Sequence, residues 1–155
     1  MPDPGLTAEV PLLEAGIRLG TAVLLGGLVG LDRELHQRPA GLRTHMLVSL
    51  AAASFTILTL NMFFSTAAES DLDPIRITEA VTTGVAFLGA GTIIRGGGSI
   101  TGITTGASIW LAGAIGLAVG SGFYGLGAVV TAAGLFVLTV VGWAERRLFG
   151  LENDG

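Results

Sequence analysis

The sequence predicts an all-α integral membrane protein with five transmembrane helices. Half of its 155 residues are apolar, only 13% are charged, and mean hydropathy is +0.72, whereas a soluble domain is about a quarter charged. A hydrocarbon core roughly 30 Å thick needs about 20 residues of helix, and the chain has room for four or five such spans with short connections. The charges are also sorted. Arg33, Arg38, Arg43, Arg95, Arg146 and Arg147 fall at alternate breaks between apolar runs, and acidic residues cluster at the others. A soluble domain has no reason to sort its charges in this way, but a chain threaded repeatedly through a bilayer keeps its basic loops on the cytoplasmic side.

The segment Met1-Pro2-Asp3-Pro4-Gly5 is acidic and lacks a basic n-region, so no cleaved signal peptide is expected. Residues 1–11 read as an extracytoplasmic segment, 12–143 as the transmembrane domain and 144–155 as a short cytoplasmic tail. The first span runs from about Leu12 to Leu31 and carries Glu14 and Arg18, four apart on one helix face and able to pair. Asp32 to His45 reads as a polar, Arg-rich loop with Pro39 and Gly41. Met46 to Phe64 is the second span, and Ser65 to Asp73 an acidic loop ended by Pro74. The third span, about Ile77 to Ile94, is rich in small residues, and Arg95-Gly96-Gly97-Gly98-Ser99 reads as a flexible turn. A short fourth span covers about Ile103 to Val119. Ser121-Gly122 turns into a fifth from Phe123 to Trp143, where Trp143 sits like an interfacial anchor.

Five spans place the termini on opposite sides, and the arginine distribution orients the chain with its N-terminus outside and its C-terminus in the cytoplasm. Glycines are the second organising feature. Gly16 and Gly20, Gly26 and Gly30, Gly102 and Gly106, and Gly116 and Gly120 are each spaced by four, which lets helix backbones approach closely. Packing within the chain is the plainer use of these faces, and a homo-oligomer the alternative. A shift of 61 residues lays Gly30 on Gly91, Gly41 on Gly102, Thr44 on Thr105 and Leu50 on Leu111. This suggests two parallel helix–loop–helix repeats followed by a fifth helix, with the two cytoplasmic loops facing each other.

With no cysteine in the chain, disulfide scaffolds, thiolate metal sites and cysteine nucleophiles are excluded. All eight basic residues are arginine. Asp32 and Glu34 offer hard oxygen ligands near a membrane surface, and Mg²⁺ prefers one or two carboxylates with retained waters. Thr104 and Thr105 are further ion-binding candidates. The plainer reading is a salt-bridge cluster that ends a helix and enforces topology, and the neighbouring arginines favour it because they would compete with a cation. In Gly89-Ala90-Gly91 and Gly102-Ile103-Thr104-Thr105-Gly106, glycines permit local helix breaks, while threonine and serine can satisfy freed backbone groups. No Gly-Lys-Ser/Thr follows Arg95, which argues against nucleotide binding, and nothing suggests a nucleic acid partner. Glu14, Arg18 and Glu79 are intramembrane charges, the default candidates for function, although an interfacial Arg76–Glu79 pair is the cheaper account of Glu79. His36 and His45 lack a third ligand for zinc. No Ser/His/Asp grouping suggests hydrolysis, so a non-enzymatic role is expected.

Two blocks taken together are distinctive. Gly30 to Glu34 with Arg38-Pro39-Ala40-Gly41-Leu42-Arg43-Thr44-His45, followed by Phe87 to Gly91 and Thr104-Thr105 before Ala107-Ser108-Ile109-Trp110, strongly resemble the MgtC/SapB family of bacterial membrane proteins over roughly Leu12 to Val141. The resemblance implies a small multi-span inner-membrane protein linked to magnesium homeostasis, adaptation to low magnesium and, in pathogens, survival within host cells. Carried over by position, its motif residues are Asp32, Arg33, Glu34, Pro39, Gly41, Arg43, Thr44 and His45, then Gly89, Gly91, Thr104, Thr105, Ser108 and Trp110; Arg38 and Arg95 lie beside them. Asp32 stands where many relatives are expected to carry Glu. Several relatives are expected to carry a soluble cytoplasmic domain after the last span; with about eight residues following Arg147 here, a role resting on that domain is not expected.

Two functions follow. One is a regulator acting through membrane helix contacts with another membrane protein or with itself, and needing no cofactor. The other is a transporter or channel for Mg²⁺ or another ion, with its site near Asp32, Glu34 and the Gly91–Thr105 region.

Overall fold

A computed structural model of the chain describes residues 9–66, 75–96 and 99–149. Its elements in order are α1 (Leu12–Leu35), α2 (Leu42–Thr66), α3 (Ile75–Ala90), an antiparallel hairpin of β1 (Ile94–Gly96) and β2 (Ser99–Thr101), α4 (Ile103–Gly120) and α5 (Tyr124–Phe136). One π-helical turn, Val137–Val141, joins α5 to α6 (Gly142–Phe149), so the last three form one continuous rod. Five helical rods match the five expected. α1, α2, α4 and the last rod are long and apolar enough to cross a membrane; α3 has 16 residues. The chain is an all-α, multi-pass membrane protein.

The helix limits correct the sequence reading in two places. The Arg-rich segment Asp32 to His45 is mostly helix, because α1 continues through Leu35 and α2 begins at Leu42. Charged residues at helix ends keep helical propensity while lowering hydropathy, so a hydropathy boundary falls inside the helix. Between them, Gln37 takes a left-handed φ of 54° and Pro39 follows, which together turn the chain. In the second place, α3 ends at Ala90, not Ile94, and the glycine-rich stretch expected as a flexible turn contributes paired strands with Arg95 opposite Ile100. Gly97 and Gly98, most of the acidic Ser65–Asp73 loop and the first eight residues lie outside the described residues.

The repeat expectation gains one observation. The 61-residue shift also aligns the helix starts: α2 follows Gly41 directly and α4 follows Gly102 directly.

α4 is the central helix and packs against α1, α2, α3 and α5. Two apolar clusters flank it: Val48, Ala52, Val81, Val85, Ile109 and Ala112 on one side, and Ala22, Val29, Ala53, Ile115 and Val119 on the other. Lipid tails are as apolar as these residues, so close packing of small groups has to hold the helices together. Three of the four glycine pairs do so. A Cβ on Gly26 would lie 2.6 Å from Ser49 Cβ, one on Gly30 2.8 Å from Leu42 Cα, and one on Gly120 2.9 Å from Ala53 Cα; one on Gly116 would strike the Ser49 carbonyl. On the α3 side, Gly106 meets Gly89 backbone to backbone. Gly16 and Gly20 differ, since a Cβ on either would meet nothing within 4 Å.

Candidate functional site

The close approach of α1, α2 and α4 buries a small polar cluster at one end of the bundle. Arg33, in the last turn of α1, is only 4% exposed. Its Nη2 donates to Thr105 Oγ1 at 3.1 Å. His45, in the first turn of α2, is fully buried. Its Nδ1 donates to the Gly41 carbonyl at 2.9 Å, and its Nε2 lies 3.1 Å from Ser108 Oγ. Ser108 Oγ is also 2.8 Å from the Thr105 carbonyl. Because a carbonyl only accepts, the His45 proton sits on Nδ1, and the single Ser108 hydroxyl proton serves either Thr105 O or His45 Nε2. Gly30 makes the cluster possible, since a Cβ there would lie 2.9 Å from His45 Cβ.

Two motif blocks separated by some sixty residues in sequence therefore meet in space through Arg33–Thr105 and His45–Ser108. The two candidate carboxylates, by contrast, point to other partners. Glu34 is exposed and its Oε2 accepts the Leu42 N–H at 3.0 Å, so it caps α2. Asp32 lies beside His36, with Oδ1 3.4 Å from Nδ1. Residues two apart on a helix do not share a face, and it is the Arg33 guanidinium that reaches Thr105. Among the described residues, no three His, Asp or Glu side chains gather as a metal site.

The remaining predicted residues have structural settings. Gly41 faces the Glu34 carboxylate, which would collide with any Cβ there. Arg43, Pro39, Gly91 and Thr104 are exposed, while Arg38 and Thr44 are half-buried. Gly89 packs against Gly106, with a Cβ position 3.0 Å from its carbonyl oxygen. Trp110, half-exposed, lines a cavity of about 70 Å³ with Val81, Val85 and Gly113. Arg95 lies in β1. At the opposite end of the bundle, Arg18 pairs with Glu14 as expected, and its Nη1 donates to the Gly120 carbonyl at 2.7 Å, tying α1 to the end of α4. Glu79 is exposed on α3. The expected Arg76–Glu79 pair does not form, since no contact within 4.0 Å joins the two side chains. Each residue of the expected pair is better served by solvent or headgroups than by an exposed partner.

Sequence reasoning missed Ser49, which is fully buried one turn beyond His45, between Gly26 and Gly116, with no hydrogen-bond partner for its hydroxyl among the described residues. Its spacing of four from His45 was the available signal. Also unforeseen was an apolar cavity of about 470 Å³ between α2 and α3, lined by residues that include Val48, Ala52, Phe55, Val81, Gly84 and Leu88.

Comparison with known proteins places both motif blocks within one family match. The model of the MgtC family matches residues 19–147, which span both motif blocks. The chain belongs to the MgtC family. It is 41% identical over 134 residues to YhiD of Escherichia coli (strain K12), covering 85% of this chain and 62% of that protein. Protein MgtC of Brucella abortus (strain 2308) is 37% identical over 130 residues, with 84% of this chain and 51% of that protein covered. Protein SapB of Bacillus subtilis (strain 168) is 37% identical over 138 residues, covering 85% of this chain and 58% of that protein. This MgtC-family chain thus spans about half to three-fifths of the length of these curated relatives. No solved structure matches it significantly.

Proposed function

We propose that this MgtC-family chain is a non-enzymatic, magnesium-linked regulator of the bacterial inner membrane, acting through lateral contacts of its helices with another membrane protein or a second copy of itself. The observation that carries this reading is the contrast among glycine pairs. Gly26, Gly30, Gly116 and Gly120 are filled by neighbouring helices, whereas Gly16 and Gly20 on α1 meet nothing within 4 Å. A small-residue face left open in a membrane helix suits a partner helix. The link to magnesium rests on kinship, since the relative YhiD is provisionally named a magnesium transporter. The arginine distribution supports an outside N-terminus and a cytoplasmic C-terminus.

Replacing both Gly16 and Gly20 with Ile tests the reading. The double variant is expected to fold normally, because no atom opposes the added groups, and to lose cross-linking to its neighbour in native membranes and the associated low-magnesium phenotype. Unchanged association and phenotype would contradict the proposal.

The relative's name also supports a second reading, ion transport. It requires Asp32 and Glu34 to act together, yet they have separate partners. Reconstituted liposomes distinguish the two. The regulator reading expects no Mg²⁺ flux above empty vesicles, whereas flux abolished by Asp32→Asn with Glu34→Gln would establish transport.

A further inference from the structure

Arg33 is a buried cation with no carboxylate in contact among the described residues. It is 4% exposed, its one hydrogen bond goes to the neutral Thr105 hydroxyl, and its buried Nε has no acceptor. Glu34 is engaged at the start of α2, and Asp32 attracts the guanidinium only from a distance, while Arg38 repels it. No carboxylate lies within 4.0 Å of the guanidinium among the described residues. Burying a charge is costly unless it is paired.

The group it touches makes the imbalance larger. Thr105 is the third residue of α4, an 18-residue helix whose N-cap, Gly102, supplies no side-chain cap. The first helical bond runs from Gly106 N–H to Gly102 O, so the N–H groups of Ile103, Thr104 and Thr105 precede any intrahelical acceptor. Those donors and the helix dipole make this end of α4 positive. A guanidinium held against it adds like charge to like charge. Ile103 and Thr104 are exposed, so the turn is open to an incoming group.

We propose that the first turn of α4 and the Arg33 guanidinium form a binding site for a phosphate group. The Ile103 and Thr104 amides would donate to its oxygens, and the guanidinium would supply the neutralising charge, a combination suited to a phosphate with several acceptor oxygens. The site lies at an end of the bundle beside the exposed Ile93, Ile94 and Ile100. It can therefore be reached by an anionic lipid headgroup or by free phosphate, and the ligand chemistry is the same for both.

The test uses the full chain in nanodiscs. In phosphatidylcholine discs, inorganic phosphate is titrated at constant ionic strength against chloride, with binding read by calorimetry and by the unfolding midpoint. In discs containing phosphatidylglycerol, the lipid retained through purification is quantified. The wild type is expected to show saturable phosphate binding, retention of phosphatidylglycerol, or both. Arg33→Gln is expected to weaken whichever occurs by about tenfold or more. Thr105→Val, which keeps the charge but frees the guanidinium from its anchor, is expected to weaken it less. Phosphate binding alone assigns the free ion, and lipid retention alone assigns the headgroup. If the wild type binds neither, or binds acetate but not phosphate, the proposal is overturned even if Arg33→Gln does not fold. Equal binding by a folded Arg33→Gln protein overturns it as well.

Discussion

α4 packs closely on its neighbours, whereas α2 and α3 do not pack closely on each other. Towards α1 and α2 it lays glycine against backbone, with Gly116 on the Ser49 carbonyl and Gly120 on Ala53, and it adds buried polar links through Thr105 and Ser108. Towards α3 it again lays backbone on backbone, with Gly106 against Gly89 and Val85 over Gly113, but α2 and α3 stand apart around a cavity of about 470 Å³. Where glycine meets backbone, neither element can shift without breaking contacts and stranding polar groups in a low-dielectric interior. Where side chains merely touch across a gap, displacement costs little. The seams of α4 are thus the rigid part of the molecule, and the seam between α2 and α3 is its looser one.

Substitution separates the two regions. Gly116→Val is expected to have the largest effect, lowering stability by about 3 kcal/mol or preventing recovery of folded protein, because backbone opposes the new group. Gly16→Val, with open space around it, is expected to change the unfolding midpoint little. Thermal unfolding in detergent, with size-exclusion recovery, reads both. A similar loss from the two would erase the distinction between filled and open glycine faces. Next in size is Ser108→Ala, which leaves the buried His45 Nε2 without its partner and is expected to cost about 1 kcal/mol, the scale of a polar contact between membrane helices. The smallest effect is expected across the cavity. Gly84, on α3, has nothing within 4 Å of a Cβ, so Gly84→Ala is expected to be neutral within about 0.5 kcal/mol. A large loss there would show that α2 and α3 are packed as tightly as the rest.

Hydropathy made the five helices legible because spans of that length and composition have few other uses. It misplaced their ends where helix continues beyond the apolar run, as in Asp32-Arg33-Glu34-Leu35. The hairpin was hidden by its glycines, although Ile94, Ile100 and Thr101 are β-branched residues suited to strands. Nothing in Val137–Val141 signalled the π-helical turn, and we have no physical account of it. The two motif blocks stood out as segments, and a parallel repeat implied that they meet. Which side chains meet was not legible: the sequence drew attention to the acids Asp32 and Glu34, but helical geometry turns Arg33 inward between them. Spacing along a chain records which residues share a helix face. It does not record which face a neighbouring helix will cover.

The central structural claim is that the two blocks form one buried crossing, and a double-mutant cycle on His45→Ala and Ser108→Ala tests it most directly. Unfolding free energies of the wild type, both single variants and the double variant, measured in the same micelles, isolate the pairwise coupling. A direct contact predicts a coupling of roughly 1 kcal/mol. Strict additivity, within about 0.3 kcal/mol, would mean that the two side chains do not meet, and would contradict the account.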